Sequence, residues 1–180
     1  MVYFPISISQ DEIFVRYLTN RDLKKGKIRY NDVFLDTRYP CVSLQRLRFC
    51  DEDCCRFHSK SLDIIGFLFF NVNIFNSCIN DYNNETTNIL AEIVYSPMND
   101  DGYLAKRNNC SHSTAGNPHH SDILYSNPTN VFYEIPRTVI REFSKKLFRN
   151  SLLMSENGMD YELTNHTESF GTAISSLTNL

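Results

Sequence analysis

The chain has 180 residues, which suits one domain and leaves little room for two. Hydrophobic residues make up 42% and aromatics 13%, with 13 Phe, 10 Tyr and no Trp, so a few Phe-rich strands can supply the core. The formal net charge of −3 argues against a domain that binds nucleic acid by overall electrostatics, and the longest apolar run, residues 64–72, is far short of the roughly 20 residues of a membrane helix.

Met1-Val2-Tyr3-Phe4-Pro5 has neither a basic start nor a long apolar stretch, so no secretory signal is expected. A cytoplasmic chain with its six Cys reduced follows. Ser9-Gln10-Asp11-Glu12 reads as a capping box opening a predicted helix over 11–18, with Ile13, Phe14, Tyr17 and Leu18 on one face. Thr19 to Asp22 caps a second, very short predicted helix that Gly26 ends. Lys24, Lys25 and Lys27 read as a solvated basic turn, and residues 28–34 as extended chain.

The segment after Pro40 alternates and predicts a strand over 41–49. Val42, Leu44 and the stem of Arg46 share one side, with Ser43, Gln45 and Leu47 on the other. Asp51 caps a predicted helix reaching about residue 61. Residues 64–72 are apolar on both faces, as in a central strand, and residues 89–95 predict another strand. The Asn-rich stretch 71–88 and the polar stretch 99–117 read as exposed loops. Pro136 starts a predicted helix with Val139, Ile140, Phe143 and Leu147 on one face. From about residue 155 the periodicity fades and a mobile tail is expected. The expected architecture is α+β, a small mixed or antiparallel sheet with a few flanking helices: one domain over 1–150 and a flexible tail over 151–180.

Three constellations carry potential chemistry. In Cys50-x3-Cys54-Cys55-x2-His58, Cys54 and His58 are four apart on a predicted helix and face one point. With Cys50, and with Cys110 or His112 from a loop, they could hold zinc; the plainer reading is buried thiols beside a surface histidine. In the second, His119 or His120 with Asp122 would form an acid–base pair, because a carboxylate orients imidazole and raises its basicity. Ser43 or Ser121 would then be the nucleophile. The competing reading is that these side chains bond backbone groups and lock a turn. In the third, Arg16, Arg46 and Arg48 could grip phosphate or carboxylate. Otherwise they pair with an acid such as Glu12, Asp51 or Asp53. Phosphate-cradling glycine loops and the other standard catalytic signatures are absent from the sequence.

The order of three blocks resembles a group of small uncharacterised bacterial proteins. The blocks are Ile13-Phe14-Val15-Arg16 with Asp22-Leu23-Lys24-Lys25-Gly26-Lys27-Ile28 and Val33-Phe34; then Cys41-Val42-Ser43-Leu44-Gln45-Arg46; then Asn117-Pro118-His119-His120-Ser121-Asp122-Ile123. The last is similar to an Asn-Pro-x-His-Ala-Asp-Ile pattern, departing at Ser121. The resemblance implies a setting near defence, toxin or mobile-element loci more than a reaction. The early Arg and the Val-Ser-Leu block are also similar to ADP-ribosyltransferase-like toxins, which implies a late catalytic Glu, here Glu92 or Glu134.

The functional expectation is a non-enzymatic accessory protein that docks on a protein partner. The alternative is a small enzyme acting on a nucleotide or nucleic acid, with His119, His120 and Asp122 as acid–base groups and Arg16, Arg46 or Arg48 holding phosphate. A zinc-stabilised module built on Cys50, Cys54 and His58 is the third possibility, and a membrane partner is not expected.

Overall fold

A computed structural model describes residues 7–35, 41–48, 50–58, 63–83, 90–96, 119–126, 136–156 and 165–179. The strands are β1 (Ile13–Thr19), β2 (Leu23–Lys24), β3 (Lys27–Ile28), β4 (Cys41–Arg46), β5 (Ile64–Asn71), β6 (Leu90–Tyr95), β7 (His120–Ser126), β8 (Leu152–Ser155) and β9 (Asn165–His166). The helices are α1 (Glu52–His58), α2 (Val72–Asn83), α3 (Arg137–Asn150) and α4 (Phe170–Thr178). The class is α+β. One sheet runs in the order β6-β7-β4-β1-β5-β8-β9, antiparallel throughout except for the β8–β9 pair, and β2 and β3 form a separate hairpin.

The sheet has two buried faces, and β5 shows why. Its run Ile64-Ile65-Gly66-Phe67-Leu68-Phe69-Phe70-Asn71 has no polar face, so it must be covered on both sides. Leu68 and Phe70 point to one face, where Phe75 of α2 and Phe143 of α3 meet at 5.7 Å between ring centres. Phe67 and Phe69 point to the other, where Phe170 of α4 stands edge-on to both, at 5.2 and 4.8 Å. Each fully buried Phe contributes roughly 1.5–3 kcal/mol of transfer free energy.

Where structure departs from pattern, the reasons are local. Residues 13–19 form strand β1, not a helix: Ile13, Phe14 and Val15 are buried in succession, and β4 and β5 supply ladders on both edges. The Ser9–Glu12 box makes only a turn, with Glu12 N–H donating to Ser9 O at 3.1 Å. The Thr19–Asp22 box is real but caps a single 3-10 turn, Asn20–Asp22. Lys25 (φ 53°) and Gly26 (φ 76°) turn the β2–β3 hairpin instead of ending a helix. After Ile28 the chain turns rather than staying extended.

The Asn-rich stretch after β5 is helix α2. Asn71 Oδ1 accepts from Ile74 N–H at 2.9 Å, and Phe75 and Cys78 are buried with Ile74 and Ile79 packed partly against the same core. The expected tail instead completes the sheet. It supplies β8, β9 and α4, with Phe170, Ala173 and Leu177 buried and Ser169 Oγ accepting from Thr172 N–H at 3.1 Å. The predicted loop 99–117 lies outside the described residues. Among the described residues, no helix is long and apolar enough to cross a membrane.

Candidate functional site

Helix α1 positions the first group of side chains. Asp51 Oδ1 accepts from Cys54 N–H at 2.9 Å, and Glu52 and Asp53 load the first turn with negative charge. Arg56 bridges Glu52 on its own helix at 2.8 Å and Glu156, beyond β8, at 3.0 Å, and lies 5.3 Å above the Phe67 ring. These contacts orient the helix on the Val15–Phe67 face of the sheet. Cys55 then points inward and is fully buried, while Cys54 is half-buried.

Two sulfurs meet beneath this helix. Cys50 Sγ and Cys55 Sγ are 3.5 Å apart, both buried. The Cys54 thiol is held far below the ordinary range, first by a hydrogen bond from Cys50 and then by bonds from His119 and His58, which together outweigh the cost of burial. Cys50 moves the opposite way, because bonding to Cys54 and Cys55 and burial keep its proton in place. The Tyr17 hydroxyl is pushed up by burial and by the neighbouring thiols. By contrast Cys78, in the other core, is an ordinary buried thiol pushed up to about 11.

His119 reaches this cluster from the turn before β7. It is fully buried, and its carbonyl accepts from Arg46 N–H at 3.0 Å. His58, four residues after Cys54, and His119, leading into β7, both help lower the Cys54 thiol.

His120 and Asp122 belong to a separate network. They face the same side of β7, opposite Gln45 and Ser43 of β4. His120 Nδ1 lies 2.7 Å from Ser96 O, so Nδ1 carries the hydrogen and Nε2 the lone pair in the neutral ring. Ser96 Oγ donates to Asp122 Oδ2 at 2.6 Å. The imidazole and carboxylate themselves are 3.8 Å apart and are linked through Ser96. Burial lowers the His120 pKa, and Arg16 and His58 lower it further, against the opposing pull of Asp122 and Ser96. The expected His119–His120–Asp122 group is therefore divided: His119 goes to Cys54, while His120 and Asp122 lock the end of β6 to β7. Ser43 is exposed, and Ser121 is buried with its hydroxyl lacking a partner among the described residues.

The arginine side chains have other partners, although Arg16 is near enough to His120 to lower its pKa. Arg46 lies on the Phe14 face, opposite His120, and its guanidinium is filled by Glu12, with a further bond to Ser7 O at 3.3 Å and the Tyr95 ring at 5.2 Å. A phosphate clamp at Arg46 is thus replaced by an internal ion pair. Arg16 donates to Val33 O and Ser43 O at 3.3 and 3.4 Å. Arg48 is exposed beyond β4, where it helps lower the Asp11 carboxyl, whose main stabiliser is the Ser9 side chain. Glu92 is exposed on β6, and Glu134 lies outside the described residues.

Cys110 and His112 also lie outside the described residues. Among the described residues, no three or more His, Cys, Asp or Glu are arranged to hold a metal ion, so Cys50, Cys54 and His58 do not form a ligand set by themselves. The link between Cys54 and His119 had no signal in the sequence, since it depends on the β4–β7 pairing. A scan against protein-family models gives no match, and comparisons with curated proteins and with solved structures give none either.

Proposed function

We propose that the chain is a small enzyme of the thiol–imidazole type, with Cys54 as nucleophile and His119 as its acid–base partner. The observation that carries this reading is the half-buried Cys54, whose thiol is held far below its ordinary range by Cys50 and then by His119 and His58. A thiolate beside an imidazole suits attack on an acyl carbon. The sulfur would bond to that carbon while the leaving group departs with a proton from the imidazole. Water, giving its proton back to the imidazole, would then cleave the thioester and restore the thiolate. An acyl substrate is favoured over a nucleotide because Arg46 and Arg16 already serve internal partners.

The test is a burst of product from an activated acyl ester, read together with mass-spectrometric detection of an acylated cysteine. Wild type should acylate at Cys54; Cys54→Ala should abolish the burst, and His119→Asn should slow it about a hundredfold or more. Equal hydrolysis by wild type and Cys54→Ala would remove the reading.

A second reading, an accessory protein that docks on a larger partner, draws on Phe57. This α1 aromatic is 47% exposed, and aromatics are typical interface anchors. Retention of partner binding by Phe57→Ala would count against it.

A further inference from the structure

We propose that the outer surface formed by helix α3 and the β2–β3 hairpin docks on the phosphate backbone of double-helical DNA. The inference is independent of acyl transfer, because α3 covers the Phe14–Phe70 side of the sheet and α1, with Cys54, covers the Val15–Phe67 side.

The net charge of −3 hides a strong segregation. Residues 21–32 and 137–150 carry ten of the chain's 18 Lys and Arg but only three of its 21 Asp and Glu. The two segments make one surface. Ser144 Oγ of α3 donates to Tyr30 O and accepts from Phe34 N–H, both at 3.0 Å. Asp32 binds Arg29 of its own turn and Arg141 of α3, so one carboxylate holds two guanidiniums and neutralises only one of their charges. Lys146 is tied to Asp81 of α2 at 3.0 Å, and Glu142 stands 3.8 Å from Lys145. Arg21, Lys24, Lys25, Lys27, Arg137 and Arg149 are exposed and have no carboxylate partner among the described residues.

Local stability does not account for this placement. Arg137, Arg141, Lys145 and Arg149 follow one another at four-residue intervals on α3. Like charges one turn apart repel, and Arg137 in the first turn opposes the helix dipole. Lys24 and Lys27 face each other directly across the hairpin, a second repulsive pairing. Lys25 between them holds φ 53°, where Gly or Asn is the ordinary choice. On α1 the same four-residue spacing is used to pair Glu52 with Arg56. An external polyanion relieves the repulsion in both elements at once.

The shape of the charge selects the partner. At 1.5 Å per residue the α3 row spans on the order of 18 Å, too long for one small phosphate and suited to a run of backbone phosphates. Among the described residues the exposed large hydrophobics are Phe57 of α1 and Ile174 of α4, the two helices that pack on the opposite side of the sheet. The basic surface therefore lacks the apolar anchors used at lipid and protein interfaces. It equally lacks the aromatic platforms on which single strands and splayed RNA loops stack. Duplex RNA is gripped in large part through its 2′-hydroxyls, whereas this surface offers mainly charge. Contacts to DNA phosphates alone carry no sequence preference.

The test follows the fluorescence anisotropy of a short labelled DNA duplex of arbitrary sequence as the full chain is added. With six unpaired cations engaged, affinity should fall about a thousandfold between about 50 and 200 mM salt. The combined variant Lys24→Gln, Lys27→Gln, Arg137→Gln and Arg149→Gln should bind at least about tenfold more weakly and lose roughly 3–4 from the slope of log affinity against log salt. Arg137→Lys with Arg149→Lys should keep the wild-type slope. Absence of duplex binding at low salt, or a slope that the glutamines leave unchanged, would overturn the proposal. So would tighter binding by wild type to single-stranded DNA, duplex RNA, polyglutamate or phosphatidylserine vesicles. The wild-type comparison among these anions decides it even where a variant fails to fold.

Discussion

Glu12, in the turn before β1, binds Arg46 at the end of β4 through two guanidinium nitrogens, and neither side chain reaches solvent. The pair closes the Phe14 face at the end of the sheet where Glu12 O also accepts from Val72 N–H at 3.2 Å. Removing one partner strands a buried charge, which costs far more than the pair itself gains. Glu12→Ala should therefore lower stability by roughly 3–5 kcal/mol, whereas the double change Glu12→Leu with Arg46→Met should recover most of it. Urea denaturation of both variants decides this; a Glu12→Ala loss no larger than that of an exposed pair would show the charge is solvated.

Gly66 is required by the approach of β8. A Cβ at this position would meet Met154 O at 2.6 Å, and that oxygen is backbone that cannot swing aside. Gly66→Ala should cost roughly 1–3 kcal/mol, by pushing β8 off β5. The denaturation midpoint should fall, and hydrogen exchange at Met154 and Glu156, whose N–H groups point to β5, should speed up before exchange in β1. Unchanged protection of β8 would contradict the stated clash.

His120 should make stability depend on pH in a defined direction. Its folded pKa lies below the unfolded value of about 6.5, so in that interval the unfolded chain binds more protons. Stability is then complete above that value and falls as the pH drops below it toward the folded pKa. Arg16 and His58 strengthen the effect and Asp122 weakens it. His120→Asn keeps a donor for Ser96 O and removes the titration, so its denaturation free energy should vary less between pH 7 and pH 5 than that of wild type. Parallel curves for the two proteins would assign the acid sensitivity to other groups.

The elements legible in the sequence were those whose pattern and tertiary role agree. β5 has no polar face and is buried on both sides; α3 carries Ile140, Phe143 and Leu147 inward at helical spacing. The Arg46 pairing with Glu12 was among the readings that residue types allowed. Residues 11–18 were misleading because apolar residues at 13, 14, 17 and 18 satisfy a helical period, yet Val15 is buried too, which only a two-sided sheet position explains. The Asn content of α2 and the Ser and Thr content of α4 hid short apolar stripes whose stability comes from docking, not propensity. In the candidate site, Cys54 and His58 were visible as neighbours on one helix. His119 was not visible as their companion, because its 65-position separation from Cys54 is closed only by β4 and β7.

The strand order also sets a timetable. β1 lies between β4 and β5, but the outer partners of those strands, β7 and β8, begin at residues 120 and 152. During synthesis the Phe-rich β5 therefore emerges long before its second neighbour exists, with one edge open and both faces bare. Pairings this distant in sequence fold slowly, in the millisecond-to-second range. Until β8 and α4 arrive, the half-built sheet presents the aromatic edge most prone to join another copy of itself. Premature release of the chain before residue 152 should thus yield aggregates rather than a smaller folded unit.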